Sequence, residues 1–201
     1  MNNQSSKTFR MVSYAILGAL GTAFMFLSFP LPFLTATPFL SIDFSEIPVL
    51  LAAILFSPVA GIAVAGIKIA LYTLFMGAGD PIGMVTNFTA SLAFVLPIAY
   101  IYRRYRTTRS LVVGVGVGTF SLTVILSILN YFVFLPAYVW LVEMPFTPEI
   151  MMTMVLAGIL PFNLMKGILV GAVFVPVFLK LYPLLQKQKI GAGLKKQPVN
   201  E

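Results

Sequence analysis

The amino-acid sequence predicts an all-α polytopic membrane protein, six transmembrane helices in one bundle. Three observations carry that prediction. Apolar residues make up 59% of the 201-residue chain and charged ones 9%, against about 45–50% and 25% in a soluble domain. Several stretches carry almost no charge over roughly 20 residues, enough to cross a hydrocarbon core of about 30 Å. Basic residues gather in short clusters beside those stretches instead of forming one phosphate-binding face, so nucleic acid is not an expected partner.

In order, the first span runs from about Met11 to Phe29 and stops at Pro30 and Pro32, after a stub of about residues 1–9. No small-residue cleavage site follows it, so it reads as retained. The second, about Glu46 to Phe56, is short. Even from Asp43 it reaches only about 20 Å, so it must tilt, sit in thinned bilayer or be backed by protein. The turn SPVAG (57–61) leads to the third span, ending near Met76. The fourth covers about Met84 to Tyr102, the fifth about Leu111 to Phe134 and the sixth about Glu149 to Leu181. Residues 1–201 form one integral-membrane domain, closed by a polar tail at about 187–201 whose lysines suit anionic lipid.

Of the 13 basic residues all but Lys68 and Lys166 fall in three clusters: Lys7 and Arg10; Arg103, Arg104, Arg106 and Arg109; and Lys180 onward. Six spans put these on one face, which the positive-inside rule makes cytoplasmic, with both termini. Asp43, Glu46, Asp80, Glu143 and Glu149 then belong to outer loops.

The composition also excludes chemistry. With no cysteine and no histidine, disulfides, thiolate nucleophiles and the commonest metal ligands are gone, and no metal site is expected. A phosphate-binding G-x-x-x-x-G-K-[ST] is absent: Gly61 and Gly66 have the spacing, but Ile67 stands where lysine is needed. No cofactor is expected, and no enzymatic activity. An intramembrane enzyme would need paired acid and base groups, and the buried titratable groups read from sequence are lysines alone.

PFNLMKG (161–167) is the informative stretch. Lys166 lies about 21 Å from the inner end of its helix, too far to snorkel, so it needs a partner or a ligand. Asn163, three residues earlier, shares its helix face, and Pro161 frees a carbonyl and bends the helix there. Asn130 lies toward the outer side of the fifth span. Two amides and an ammonium suit a planar heteroaromatic with carbonyl and ring-nitrogen edges; polar glue between helices is the alternative, and a stronger one for either asparagine alone than for Lys166 with Asn163. For Lys68 both snorkelling and structural pairing remain open. So do lid and rigid connector for the proline-rich outer loop PLPFLTATPFLSIDFSEIP. Ala15, Ala19 and Ala23 form a small-residue face, with contact inside the bundle as the default and contact with another subunit as the alternative.

LSIDFSEIP (40–48), the Ala15-x-x-x-Ala19 face, NYFVFLP (130–136) and PFNLMKG together resemble the substrate-binding S components of bacterial energy-coupling factor (ECF) vitamin transporters, the riboflavin-specific group above all. The resemblance spans roughly residues 10 to 186. It implies a subunit of the bacterial cell membrane, inert by itself, that captures riboflavin outside. A coupling protein and two ATPase subunits then drive uptake. It further implies that Asn130, Asn163 and Lys166 hold the isoalloxazine edge and that Ala15 and Ala19 contact the coupling protein. Leu40 and the loop around Gly79 would close the mouth, with Glu143 reaching the ribityl chain. FMN, thiamine or biotin is the alternative ligand; an intramembrane enzyme or a structural membrane protein is the alternative class. On the flavin reading Lys166 is satisfied by ligand carbonyls, and Lys166→Ala or Asn163→Ala weakens binding far more than folding.

Overall fold

A computed structural model describes residues 3–30, 37, 40–77 and 79–191. These form six helices and one two-residue ladder. Helix α1 is Asn3–Phe26; strands β1 (Phe29–Pro30) and β2 (Ser41–Ile42) pair antiparallel; α2 is Glu46–Leu55, α3 Pro58–Met76 and α4 Pro81–Tyr105. Helix α5 runs Thr108–Val142 through a π turn at Asn130–Phe134. Helix α6 starts at Pro148–Met154, passes a π turn at Val155–Ile159 and continues as Leu160–Gly191. All except α2 are long and apolar enough to span a membrane.

Local chemistry sets the starts. Ser57 accepts the Ala60 N–H at 3.0 Å and Asp80 the Gly83 N–H at 2.8 Å, each followed by a proline at the first helical position. There the missing N–H costs nothing. Thr107 and Ser110 cap α5 reciprocally, and Thr147-Pro148 opens α6.

The short second span resolves in favour of protein backing. Residues Glu46 to Ile54 are all buried, because α2 packs against α1, α3, α4 and α6. Its orphan C-terminal carbonyls are met by Arg103, whose Nη1 donates to Ile54 O and Phe56 O at 3.1 Å. Predicted ends shift elsewhere: α1 stops at Phe26, three residues early, and the fifth span continues past Phe134 to Val142. Proline explains the second difference. Pro136 and Pro161 lack a donor and would clash with the carbonyl four residues back; a π turn immediately before each accommodates it without ending the helix.

The small residues divide by face. Gly118 admits α4, since a Cβ there would lie 2.6 Å from Phe94 O, and Gly18 admits α3, where a Cβ would run into Ile67. Ala15, Ala19 and Ala23 instead lie exposed on α1, beside Val12, Ile16 and Leu20. The default expectation of contact within the bundle is therefore corrected: α1 packs inward through Gly18, Gly21 and Thr22.

Candidate functional site

The two π turns pack against each other. That brings Asn130, the first residue of one, toward Asn163, four residues past the other. Both amides are buried. Each donates Nδ2 to its own helix, Asn130 to Leu126 O at 2.7 Å and Asn163 to Ile159 O at 2.9 Å. Their Oδ1 atoms have no protein donor among the described residues. One N–H and one acceptor on each asparagine thus stay available at a widened, locally unwound stretch of helix.

Lys166 follows one turn later and is buried, and its Nζ donates to Asp43 Oδ2 at 3.1 Å. Asp43 is fixed in turn by its Oδ1, which accepts the Ser45 N–H at 2.8 Å. The structure corrects two expectations here. Asp43 and Glu46 are not outer-loop charges but buried groups, 3% and 2% exposed, so the buried titratable groups are not lysines alone. Nor does Lys166 wait for a ligand to find a counter-charge. Burial alone pushes the Asp43 carboxyl up. Lys166, then Lys68, and hydrogen bonding from Ser45 outweigh this and hold it at about 2, below its ordinary 3.8. The stability it contributes is complete above about 3.8 and fades as pH falls through about 2; at neutral pH the pair is intact.

Lys68 is paired, which decides against snorkelling. Wholly buried, its Nζ donates to Glu46 Oε1 at 2.9 Å, Ser91 Oγ at 2.9 Å, and Ser45 Oγ and Asn87 Oδ1 at 3.1 Å. Ser91 donates on to Glu46 Oε1 at 2.8 Å. Three N–H groups thus meet four acceptors, and this lysine has no capacity left. Lys166, with one acceptor, has two N–H groups free of any protein partner among the described residues.

Leu40 lies at the apolar edge of the site. It packs on Ile42 and Phe162, and on the cluster of Leu135, Met154, Val155 and Ile159 that joins the π turns. Thr37 is buried against Gly158, where a Cβ would strike its side chain. The rest of the expected lid or connector, residues 31–36, 38 and 39, lies outside the described residues. Gly79 and Glu143 lie exposed at the surface instead, Glu143 at the end of α5 in left-handed conformation with φ 56°. Neither joins the Lys166 cluster by a hydrogen bond among the described residues. Next to Gly79, Asp80 accepts the Tyr138 O–H, with both its oxygens at 2.8 Å, which ties that turn to α5.

Beside Lys166 lies a narrow cleft, too tight for a water molecule, walled by Ala90, Phe94, Leu122 and Val170, with Glu46 and Lys166 as its polar side chains.

Sequence reasoning found the lysines and asparagines and missed both carboxylates. The signal was present: two membrane-buried ammonium groups demand two buried anions, and DFSE carries the nearest ones.

Comparison with known proteins adds four findings. The family model "ECF transporter, substrate-specific component" matches residues 9–178. The chain is 39% identical over 186 residues to the riboflavin transporter FmnP of Bacillus subtilis (strain 168), covering 91% of this chain and 97% of that one. Riboflavin transporter RibU of Staphylococcus aureus (strain TCH60) is 40% identical over 187 residues, with 93% and 96% covered. A solved structure described as the S component of a bacterial ECF transporter superposes with a TM-score of 0.76 at 40% identity, covering 90% of this chain and 99% of that chain.

Proposed function

The chain belongs to the family of ECF-transporter substrate-specific components, and from that premise we propose that it is a multi-pass membrane subunit that binds riboflavin and is no enzyme by itself. The observation that carries this is Lys166: an ammonium buried mid-helix, its charge already balanced by Asp43, with two N–H groups uncommitted among the described residues one turn from Asn163. Those donors suit the carbonyl oxygens of a flavin ring. The free Oδ1 and N–H of Asn130 and Asn163 suit its alternating acceptors and ring N–H. The apolar cluster around Leu40 suits the dimethylbenzene end. Asp43 and Glu46 serve as counter-charges in this reading, not as an acid–base pair, since each holds a lysine. The relatives named as riboflavin transporters support the flavin over thiamine or biotin.

The test is a visible absorption spectrum of detergent-purified protein, followed by quenching of added riboflavin fluorescence. Binding is expected with a flavin band that survives washing and is released on denaturation. A colourless protein that fails to quench flavin overturns the reading. Asn163→Ala should weaken binding by about 10- to 100-fold, the loss of one or two hydrogen bonds in a dry site, with folded yield little changed because among the described residues the Asn163 side chain bonds only its own helix.

Vitamin enters from outside on this reading, both termini lie in the cytoplasm, and a coupling protein with two ATPases drives release. The exposed alanine face of α1 at Ala15 and Ala19 is the proposed docking surface for the coupling protein. Ala19→Leu should fold and bind flavin yet lose at least about tenfold in flavin uptake with the complete transporter, since close approach needs small residues. Gly18→Leu, facing Ile67, should fail earlier, in the yield of folded protein. Equal behaviour of the two variants removes the docking assignment.

A further inference from the structure

Lys68 has one acceptor more than it needs. Glu46, Ser91 and Ser45 are enough for its three N–H groups, yet Asn87 Oδ1 also lies 3.1 Å from its Nζ. A half-buried amide in a membrane helix carries a desolvation cost, and the lysine alone does not account for it. Contact with the ammonium fixes the sense of the amide, because only its oxygen can accept. Nδ2 therefore points away from Lys68, and among the described residues neither of its N–H groups has a protein acceptor. Asn87 is left as a donor alone, whereas Asn130 and Asn163 each keep an acceptor as well.

The register of the bundle places this donor. Two short connections reverse the chain between α4 and α6, so those helices run parallel. Both line the cleft beside Lys166, α4 through Ala90 and Phe94 and α6 through Lys166 and Val170. Each pair is four residues apart, which puts Ala90 and Lys166 at about one level. One turn toward the N-terminus each helix carries an asparagine: Asn87, three residues before Ala90, and Asn163, three before Lys166. Side chains three apart share a helix face, so the two amides face one space from different walls. A path of hydrogen bonds gives the same placement. Asn87 meets Lys68, Lys68 meets Ser45, the Ser45 N–H holds Asp43, and Asp43 holds Lys166.

We propose that Asn87 is a further ligand-binding residue, whose Nδ2 donates to a hydroxyl oxygen on the ribityl chain of the flavin. The proposal rests on the flavin reading and deepens it. Lys166, Asn163 and Asn130 account for the ring carbonyls and nitrogens, and the polar part of riboflavin that remains is that chain. Its hydroxyls need partners once buried. Glu143, which the resemblance assigns to it, lies exposed instead. A hydroxyl oxygen is an acceptor that a donor-only amide suits. Lys68 sets which end of the amide faces it; the donors belong to Asn87 itself.

Lumiflavin has the same ring with a methyl group in place of the ribityl chain, so it separates the two halves of the site. The full chain is titrated with riboflavin and with lumiflavin by fluorescence quenching, unchanged and as Asn87→Leu. Leucine keeps the size of the amide and leaves Lys68 its three other acceptors. Asn87→Leu should weaken riboflavin by about tenfold, one hydrogen bond in a dry site, and leave lumiflavin within about twofold. Asn163→Ala should weaken both flavins alike, since the ring edge is common to them. A disturbance passed on through Lys68 also acts on both, so equal losses in Asn87→Leu overturn the assignment, as does an unchanged affinity for riboflavin. Asn87→Ala decides by the same comparison if Asn87→Leu does not fold. Unchanged protein that binds neither flavin sinks the flavin reading and the role of Asn87 with it. Unchanged protein that binds both, with Asn87→Leu affecting them equally, sinks the role of Asn87 alone.

Discussion

Lys166→Met abolishes measurable flavin binding, a loss of at least about 100-fold, and also lowers the yield of folded protein. Both effects follow from one side chain having two roles. Each charge-assisted hydrogen bond to a ligand carbonyl contributes about 1.5–3 kcal/mol, so losing two removes most of the polar recognition. The same substitution leaves Asp43, 3% exposed, without its ammonium, and breaking one side of a buried pair costs about 3–5 kcal/mol. The sequence alone predicts only the first effect, because Asp43 there reads as an outer-loop charge. The roles separate in Lys166→Met/Asp43→Asn. With both charges gone the pair is replaced by neutral groups of similar size, often close to neutral for stability. Monodisperse protein should therefore return on size-exclusion chromatography while riboflavin quenching stays absent. If the double variant regains flavin binding, Lys166 is not a ligand group. If the single variant folds as well as the unchanged protein, the Asp43 pairing is not formed in the membrane.

That outcome marks where a sequence stops being readable. Span count and the identity of the unusual lysines were legible because hydropathy and membrane cost act residue by residue. Asn163 and Lys166 were legible as a pair because helical spacing puts them on one face. The partners were not, because Asp43 is 123 positions from Lys166 and Glu46 is 22 from Lys68; only the bundle brings them together. The π turns were half legible. Pro161 announced a defect, but its form, a widened turn repeated before Pro136, depends on the two helices packing there. The outward turn of the Ala15 and Ala19 face was undecidable from spacing, since Gly114 with Gly118 shows the same interval and faces inward.

Lys68→Met should be the most damaging single substitution for folding and among the least informative for binding. The side chain is wholly buried and its Nζ meets four acceptors on α2, α4 and the turn before α2. Removing it leaves Glu46 as an uncompensated anion on a helix with no water around it. A cost of about 3–5 kcal/mol compares with a total stability of about 5–15 kcal/mol, so little folded protein is expected at growth temperature. Lys68→Met/Glu46→Gln removes the counter-charge as well and should restore folding. Unlike the Lys166 double variant, it should keep its riboflavin dissociation constant within about threefold, because Asp43, Lys166, Asn163 and Asn130 are untouched. Two buried lysine–carboxylate pairs then give opposite results under the same treatment, and that contrast assigns one to the fold and the other to the ligand. If Lys68→Met/Glu46→Gln folds but loses flavin, the four charges act as one binding unit, and the division argued from their hydrogen bonds is wrong.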